Sequence, residues 1–195
     1  MTRSPNPRGT GEQLRAQLVA SASAMLTSAQ PVALPSLRAV ARACGVSPSA
    51  VYLHFDSQVA LLRAVVDAQL RSMRSALLEE YSGGTAREHI VAIGRRYARW
   101  GIAHPGAYQL IFETAPQAGV TGSDDPENDI IGMLGDLVAA SRSGDVESAR
   151  ADAMLLWASV HGLVLLRIHK PALEWPRSLE DDIERVAHAI VPAGG

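Results

Sequence analysis

The segment from Ser36 to Phe55, SLRAVARACGVSPSAVYLHF, leaves the chain little conformational choice. Leu37, Val40, Ala41 and Cys44 recur at i, i+3, i+4 and i+7, the spacing that buries one face of a two-turn helix. Ser36 stands where a side-chain oxygen caps the first free N–H groups of that helix. Gly45 ends it, because only glycine enters the left-handed backbone region cheaply. Val46 anchors the turn, Ser47 is placed to cap a second helix, and Pro48 takes its first position, where a missing N–H costs nothing. That second helix is short, from about Pro48 to His54, with Val51 and Phe55 turned to the core. A longer helix follows from about Ser57 to Tyr81, with Leu62, Val65, Val66, Leu70, Met73 and Leu77 facing inward. Helix, glycine turn, short helix and long helix in this order make a helix-turn-helix unit.

The second helix of such a unit must be thin at its N-terminus to enter a major groove about 12 Å wide. Ser47, Pro48, Ser49 and Ala50 are all small, and the serine hydroxyls suit base edges or phosphates. Tyr52 and His54 can each donate to a phosphate; alternatively Tyr52 packs and His54 caps. The charge distribution favours contact with a polyanion. Residues 1 to 55 carry five arginines against Glu12, a net of +4, while the whole chain is −2, so the remaining 140 residues sum to −6. Phosphate attraction acts through local potential within a Debye length, so the basic end counts and the chain total does not. Arg3 and Arg8 lie in a Pro- and Gly-containing arm over residues 1 to 11, where they touch DNA or are simply solvated.

Periodicity is helical nearly everywhere and the class is all-α. A first helix is expected from about Gly11 to Ser28, with Leu14, Leu18, Met25 and Leu26 on one stripe, stopping before Pro31. Gly83 and Gly84 break the chain and mark the domain boundary. This divides it into an arm (1–11), a helix-turn-helix domain (12–56), a connecting helix (57–82) and a C-terminal domain (83–195). Further helices are expected at about 85–103, 105–114, 126–142, 145–169 and 177–190, with Pro116 to Pro126 as a loop. No run of about 18 apolar residues and no secretory core appears, which with the single Cys44 points to a reducing cytoplasm and no membrane. Cys44 sits on an apolar stripe and is expected as a buried core thiol. The six histidines are scattered, with no metal-ligand spacing, phosphate loop or nucleophile elbow, so neither an enzyme, a metal nor a cofactor is expected.

The stretch Arg38-Ala-Val-Ala-Arg-Ala-Cys-Gly45-Val46-Ser47, then Val51-Tyr52-Leu-His54-Phe55, then Ala60-Leu61-Leu62, resembles the signature of the TetR family over about residues 12 to 66. The joint spacing carries the resemblance. It implies an all-α homodimer with a three-helix DNA-binding head and a C-terminal domain for ligand and dimer contacts. It also implies a repressor released from a palindromic operator by a small-molecule ligand; the alternative is a helical DNA-binding dimer without a ligand. Carried over by position, it places Ser36 and Arg38 beside the backbone and groove edge, Ser47, Pro48, Ser49 and Ala50 at the bases, and Tyr52 and His54 on phosphates. Where the family commonly has a lysine at the start of the fourth helix, this chain has Gln58. Gln58 can donate a neutral hydrogen bond but releases no counterion.

In the C-terminal part, Trp157 and His161 are four residues apart on one helical face, with Ser159, Gly162 and Leu166 on another. The Trp-x-x-x-His-Gly pattern resembles one recurring C-terminal domain type of TetR-like regulators. That resemblance implies a four-helix bundle across the dimer axis, made by this helix, the last one and their copies. Trp100, His104, Tyr108 and Phe112, with Met133, Trp157 and His161, are candidates for lining a cavity for an apolar small molecule. The same aromatics equally make a core, with His104 capping its helix.

Overall fold

The computed structural model describes residues 10–28, 34–78, 83–120, 126–141 and 146–191; the arm with Arg3 and Arg8, the stop at Pro31 and residues 79–82 lie outside them. Among the described residues all regular structure is helical, and the chain falls into two units, one of Met1–Leu70 with Gly106–Ser123, the other of Arg71–Pro105 with Asp124–Gly195.

The first unit holds α1 (Thr10–Ser28), α2 (Leu37–Ala43), α3 (Pro48–Tyr52) and the first three turns of α4 (Gln58–Leu77). Of the expected core, Leu18 and Leu26 of α1, Leu37, Val40 and Ala41 of α2, Val51, Phe55, and Leu62 and Val65 of α4 are buried, and Ala22 and Leu61 join them. Leu14, Met25 and Cys44 are only partly covered. The Cys44 thiol points to the Gln17 carbonyl at 3.7 Å, so it sits at the rim and not inside the core. A hydrogen bond from Gln69 Nε2 to Ser23 Oγ, 2.6 Å, ties α4 to α1.

This unit also takes in α6 (Pro105–Gln109) from Gly106 onward, a π turn at Leu110–Thr114 and α7 (Ala115–Gln117). Within this unit Gly106 lies against α1. A Cβ there would overlap the backbone carbonyl of Thr27 in α1, an approach only glycine permits. The loop expected over Pro116 to Pro126 starts two residues late, since the helix runs on through Pro116 and Gln117, and its residues 121–125 lie outside the described ones. Proline lacks the N–H and its ring crowds the carbonyl four residues back. The preceding π turn, in which the Ala115 N–H reaches back to the Leu110 carbonyl, widens the coil where Pro116 needs room.

In the second unit, α5 (Ala86–Ala103), α8 (Pro126–Ser141), α9 (Val146–His169) and α10 (Leu179–Ile190) pack on one another. A capping box starts α5: Thr85 Oγ1 accepts from the Glu88 N–H at 3.3 Å, and Glu88 Oε2 accepts from the Thr85 N–H at 2.7 Å. Gly94 lets α10 come close, since a Cβ there would stand 2.9 Å from Ile183 Cγ2. Charge supports the same pairing. Helix α5 carries four arginines and one glutamate, a net of +3, and α10 four acids and one arginine, a net of −3. Arg95 meets Glu184 at 2.8 Å, and Arg167 of α9 meets Asp182 at 2.7 Å.

Two predictions follow from this packing. Gly106→Ala must displace backbone and should cost about 2 kcal/mol or more, whereas Gly132→Ala, where nothing lies within 4 Å of the added methyl, should stabilise α8 by about 0.5–1 kcal/mol; urea unfolding of both variants separates the two effects. The backbone and side chain of Thr85 hold the Glu88 carboxyl below its ordinary 4.5. Because the folded value is the lower one, the box contributes fully above pH 4.5 and is lost as pH falls through the folded value. Carboxyl NMR titration should find the Glu88 midpoint below 4.5, moving upward in Thr85→Ala.

Candidate nucleic-acid interface

The end of α2 is a Schellman motif. Gly45 adopts φ +67°, its N–H donates to the Arg42 carbonyl at 3.2 Å, and the Val46 N–H donates to the Ala41 carbonyl at 3.0 Å. The chain thereby reverses and enters α3 at once. Ser47 has extended backbone and its Oγ accepts from the Ala50 N–H at 3.3 Å, as Ser36 Oγ accepts from the Ala39 N–H at 3.2 Å at the start of α2. Both expected caps are present. Ser47 and Ser49 hydroxyls lie 2.9 Å apart, so the two form one polar knob at the tip of α3.

Beneath this tip, Val51 and Phe55 are buried, and the Arg15 guanidinium lies 5.0 Å from the Phe55 ring centroid, closing the core from the α1 side. With those two side chains fixed inward, the rest of the segment must face out. Ser36, Arg38, Ser47, Pro48, Ser49 and Tyr52 are exposed, Tyr52 by 55%, while Ala50 and His54 are half-buried. The His54 ring lies beside Gly11 of α1. One exposed side chain escapes a reading by periodicity: Leu53, 84% exposed between Tyr52 and His54. A leucine has no polar signal, so only its position at the end of so short a helix reveals it.

Gln58 is engaged within the chain. Its Nε2 donates to the carbonyls of Leu34 and Pro35, both at 3.0 Å, which uses both amide hydrogens to pin the segment entering α2.

A profile described as bacterial regulatory proteins, tetR family, matches residues 20–65, and one described as the tetracyclin repressor-like C-terminal domain matches residues 90–190. The second alone spans half the chain. The chain belongs to the TetR family. It is a transcriptional regulator with a DNA-binding helix-turn-helix in its N-terminal unit. Among solved structures, a transcriptional regulator from Rhodococcus sp. RHA1 is 26% identical, with TM-score 0.64, covering 93% of this chain and 95% of that one. A tetR-family regulator from Streptomyces coelicolor is 15% identical, with TM-score 0.71, over 92% and 79%. BioQ with its natural double-stranded DNA operator is 21% identical, with TM-score 0.65, over 91% and 97%. No curated protein matches the chain.

The aromatic residues expected around a TetR-type ligand cavity fall into three groups. Trp100 and His104 stack at 5.2 Å, and His104 Nδ1 donates to the Trp100 carbonyl at 2.9 Å, so His104 caps α5. Tyr108 and Phe112 pair at 4.7 Å within the first unit. Trp157 and His161 stack at 5.1 Å, and His161 Nδ1 shares a 2.8 Å hydrogen bond with Tyr97 Oη. Met133 is half-buried on α8. Only Trp157 of these borders the apolar cavity of the second unit, whose walls are Leu77, Tyr97, Leu134, Trp157, Val160, Ile183 and their neighbours. Those aliphatic positions read as plain core in a sequence. The available signal is Gly94, a glycine inside a helix that also borders the cavity.

Removing the Ser47 cap should cost about 1 kcal/mol in Ser47→Ala, and Gln58→Ala, which frees two carbonyls, about 1–2 kcal/mol. Urea unfolding checks both; a neutral Gln58→Ala shows that the two contacts hold nothing.

Proposed function

We propose that the protein is a repressor that grips a palindromic operator as a homodimer and is released by an apolar small molecule bound in its C-terminal unit. The observation that carries this reading is the cavity bordered by Leu77, in the last turn of α4, and by side chains of α5, α8, α9 and α10. Its volume is about 30 Å³, room for little more than a water molecule. An organic ligand enters only if the walls part, and one wall is the end of the helix whose first turns carry Leu61, Leu62 and Val65 of the DNA-binding core. Ligand therefore favours an expanded body with a shifted α4, and DNA favours whichever inclination of α4 sets the heads about 34 Å apart.

Homodimerisation is supported by α9. Its Ala149, Ala153, Leu156, Val160 and Val164 are buried, while on the opposite side Met154, Leu155 and Leu166 are exposed around Ala158 and Gly162. Nothing lies within 4 Å of a Cβ added at Gly162. This helix is long and apolar enough to cross a membrane by length and composition, with 22% of its apolar window buried. A second copy of the chain covers that face as the family's two-fold bundle does, and small residues at its centre allow close approach. A DNA-bound regulator of this kind works in the cytoplasm.

On the groove side we assign Ser47, Pro48, Ser49 and Ala50 to base edges, Ser36, Arg38, Tyr52 and His54 to phosphates and groove edge, and the backbone N–H groups opening α4, rather than the occupied Gln58 amide, to the fourth-helix contact. BioQ was solved with its natural operator, which is the arrangement proposed for this chain. The test is fluorescence anisotropy on DNA upstream of the gene, with light scattering for mass. Wild type should be a dimer; Tyr52→Ala should keep stability and weaken specific binding about tenfold; Gly162→Glu should give a monomer bound about 100-fold more weakly. A relieving ligand should weaken DNA binding by about 5- to 150-fold. A monomeric wild type, or specific binding unchanged by Tyr52→Ala, overturns the reading.

A further inference from the structure

The outer side of the second unit carries a feature that the repressor reading does not use. Arg87, Arg95 and Arg99 stand at spacings of eight and four along α5, one stripe of the helix. Two open grooves meet at Arg95 and Arg99. One, of about 660 Å³, is polar and runs past Arg87, Glu88, Arg96 and His188. The other, of about 560 Å³, is mainly apolar and runs past Ile102, Pro171, Trp175, Leu179 and Ile183, with Arg167 in its wall.

The arginines are not equally compensated. Arg95 is paired with Glu184, Arg167 with Asp182, and Arg96 donates to the Leu77 carbonyl at 3.2 Å. Arg99, exposed where the grooves join, has no hydrogen-bond or ion-pair partner among the described residues. Nε of Arg95, Nε of Arg87 about three turns from Arg99 along α5, and Nη1 of Arg167 are buried without a hydrogen-bond partner among the described residues. The Arg167 guanidinium lies 3.9 Å from the Trp175 ring centroid, which holds both against the apolar groove. Ile102, at the mouth, is 43% exposed.

From this geometry we infer a binding site for an amphipathic monocarboxylate, with its carboxylate on Arg99 and Arg95 and its apolar body along Ile102, Trp175 and Leu179. A guanidinium fork matches a carboxylate's two oxygens, and the low hydration of guanidinium suits a site half lined by carbon. Glu88, Glu180 and Glu184 border the two grooves. Their charge disfavours a phosphate dianion or a nucleic acid and leaves room for one negative charge. On α9 the proposed dimer face lies away from the site. Arg167 falls on the side of α9 shared by Val160 and Val164, nearly half a turn from Ala158 and Gly162 at 100° per residue.

Decanoate is a suitable probe, titrated calorimetrically into the full-length protein without DNA, so the outcome is independent of whether the protein represses. Saturable binding is expected, weakened about tenfold or more by Arg99→Gln and likewise by Ile102→Asp; both residues are exposed, so both variants should fold, as circular dichroism will check. Decanol, with the same chain and no charge, should bind about tenfold more weakly or not at all. Leu134→Phe, which fills the apolar cavity, should leave decanoate affinity unchanged. The inference is overturned if decanoate fails to saturate, if Arg99→Gln binds it as well as wild type, or if Leu134→Phe abolishes binding, which would place it in the cavity.

Discussion

The DNA-binding surface depends on one backbone reversal, at Gly45. With φ at +67° the chain turns out of α2 after seven helical residues and enters α3 two residues later, with the Val46 N–H returned to the Ala41 carbonyl. A residue with a Cβ would strain that conformation by about 1 kcal/mol or more. Once the reversal is made, burial does the rest. Val51 and Phe55 are driven into a core built by α1, α2 and α4, and a helix of five residues has no other way to present Ser49 and Tyr52 than outward. The polar knob of Ser47 and Ser49 is therefore placed by apolar contacts on the opposite side of the same short helix.

The second unit depends on a different constraint, a helix apolar on more than one side. One side of α9 is satisfied by α5, α8 and α10, and on the other Met154, Leu155 and Leu166 are exposed. Close packing on the satisfied side brings the cavity down to about 30 Å³. In the proposed ligand response this matters, because a pre-formed void would accept a ligand without moving its walls, whereas a nearly closed one makes wall displacement a condition of binding.

Local chemistry was legible in the sequence. Ser36 and Ser47 as caps, Gly45 as terminator, Pro48 at a first helical position and the inward stripe of α4 each follow from neighbours within one or two turns, and each is found where it was expected. Tertiary partners were not legible in the same way. Gln58 looks like a polar residue at a helix start; that its amide reaches the carbonyls of Leu34 and Pro35, 24 and 23 residues away, depends on how α2 and α4 cross. The partners of the aromatic residues were not legible for the same reason. Trp100 and His104 satisfy each other locally, and the cavity wall is made mostly of aliphatic residues, from five helices that no spacing links. Gly106 is the sharpest case, since its role is set entirely by the Thr27 carbonyl it packs against.

Charge shows what a coarse division conceals. A basic head of +4 and an acidic remainder of −6 account for where a polyanion settles, and they suggest a uniformly anionic body. Resolved by helix, the body is polarised instead: α5 is +3, α10 is −3, and they lie side by side. One ion pair joins them among the described residues, Arg95 with Glu184, and Asp182 of α10 is met by Arg167 of α9. A half-exposed pair such as Arg95 with Glu184 contributes little to stability, about 0–1 kcal/mol, so the arginine stripe is poorly explained as structural glue. Among the described residues Arg87 and Arg99 have no ion pair, and Arg99 stands at the edge of a groove floored by isoleucine, leucine and tryptophan. A cation held beside carbon and left unpaired selects for a ligand with the same two halves, which net charge and mean hydropathy of the chain both average away.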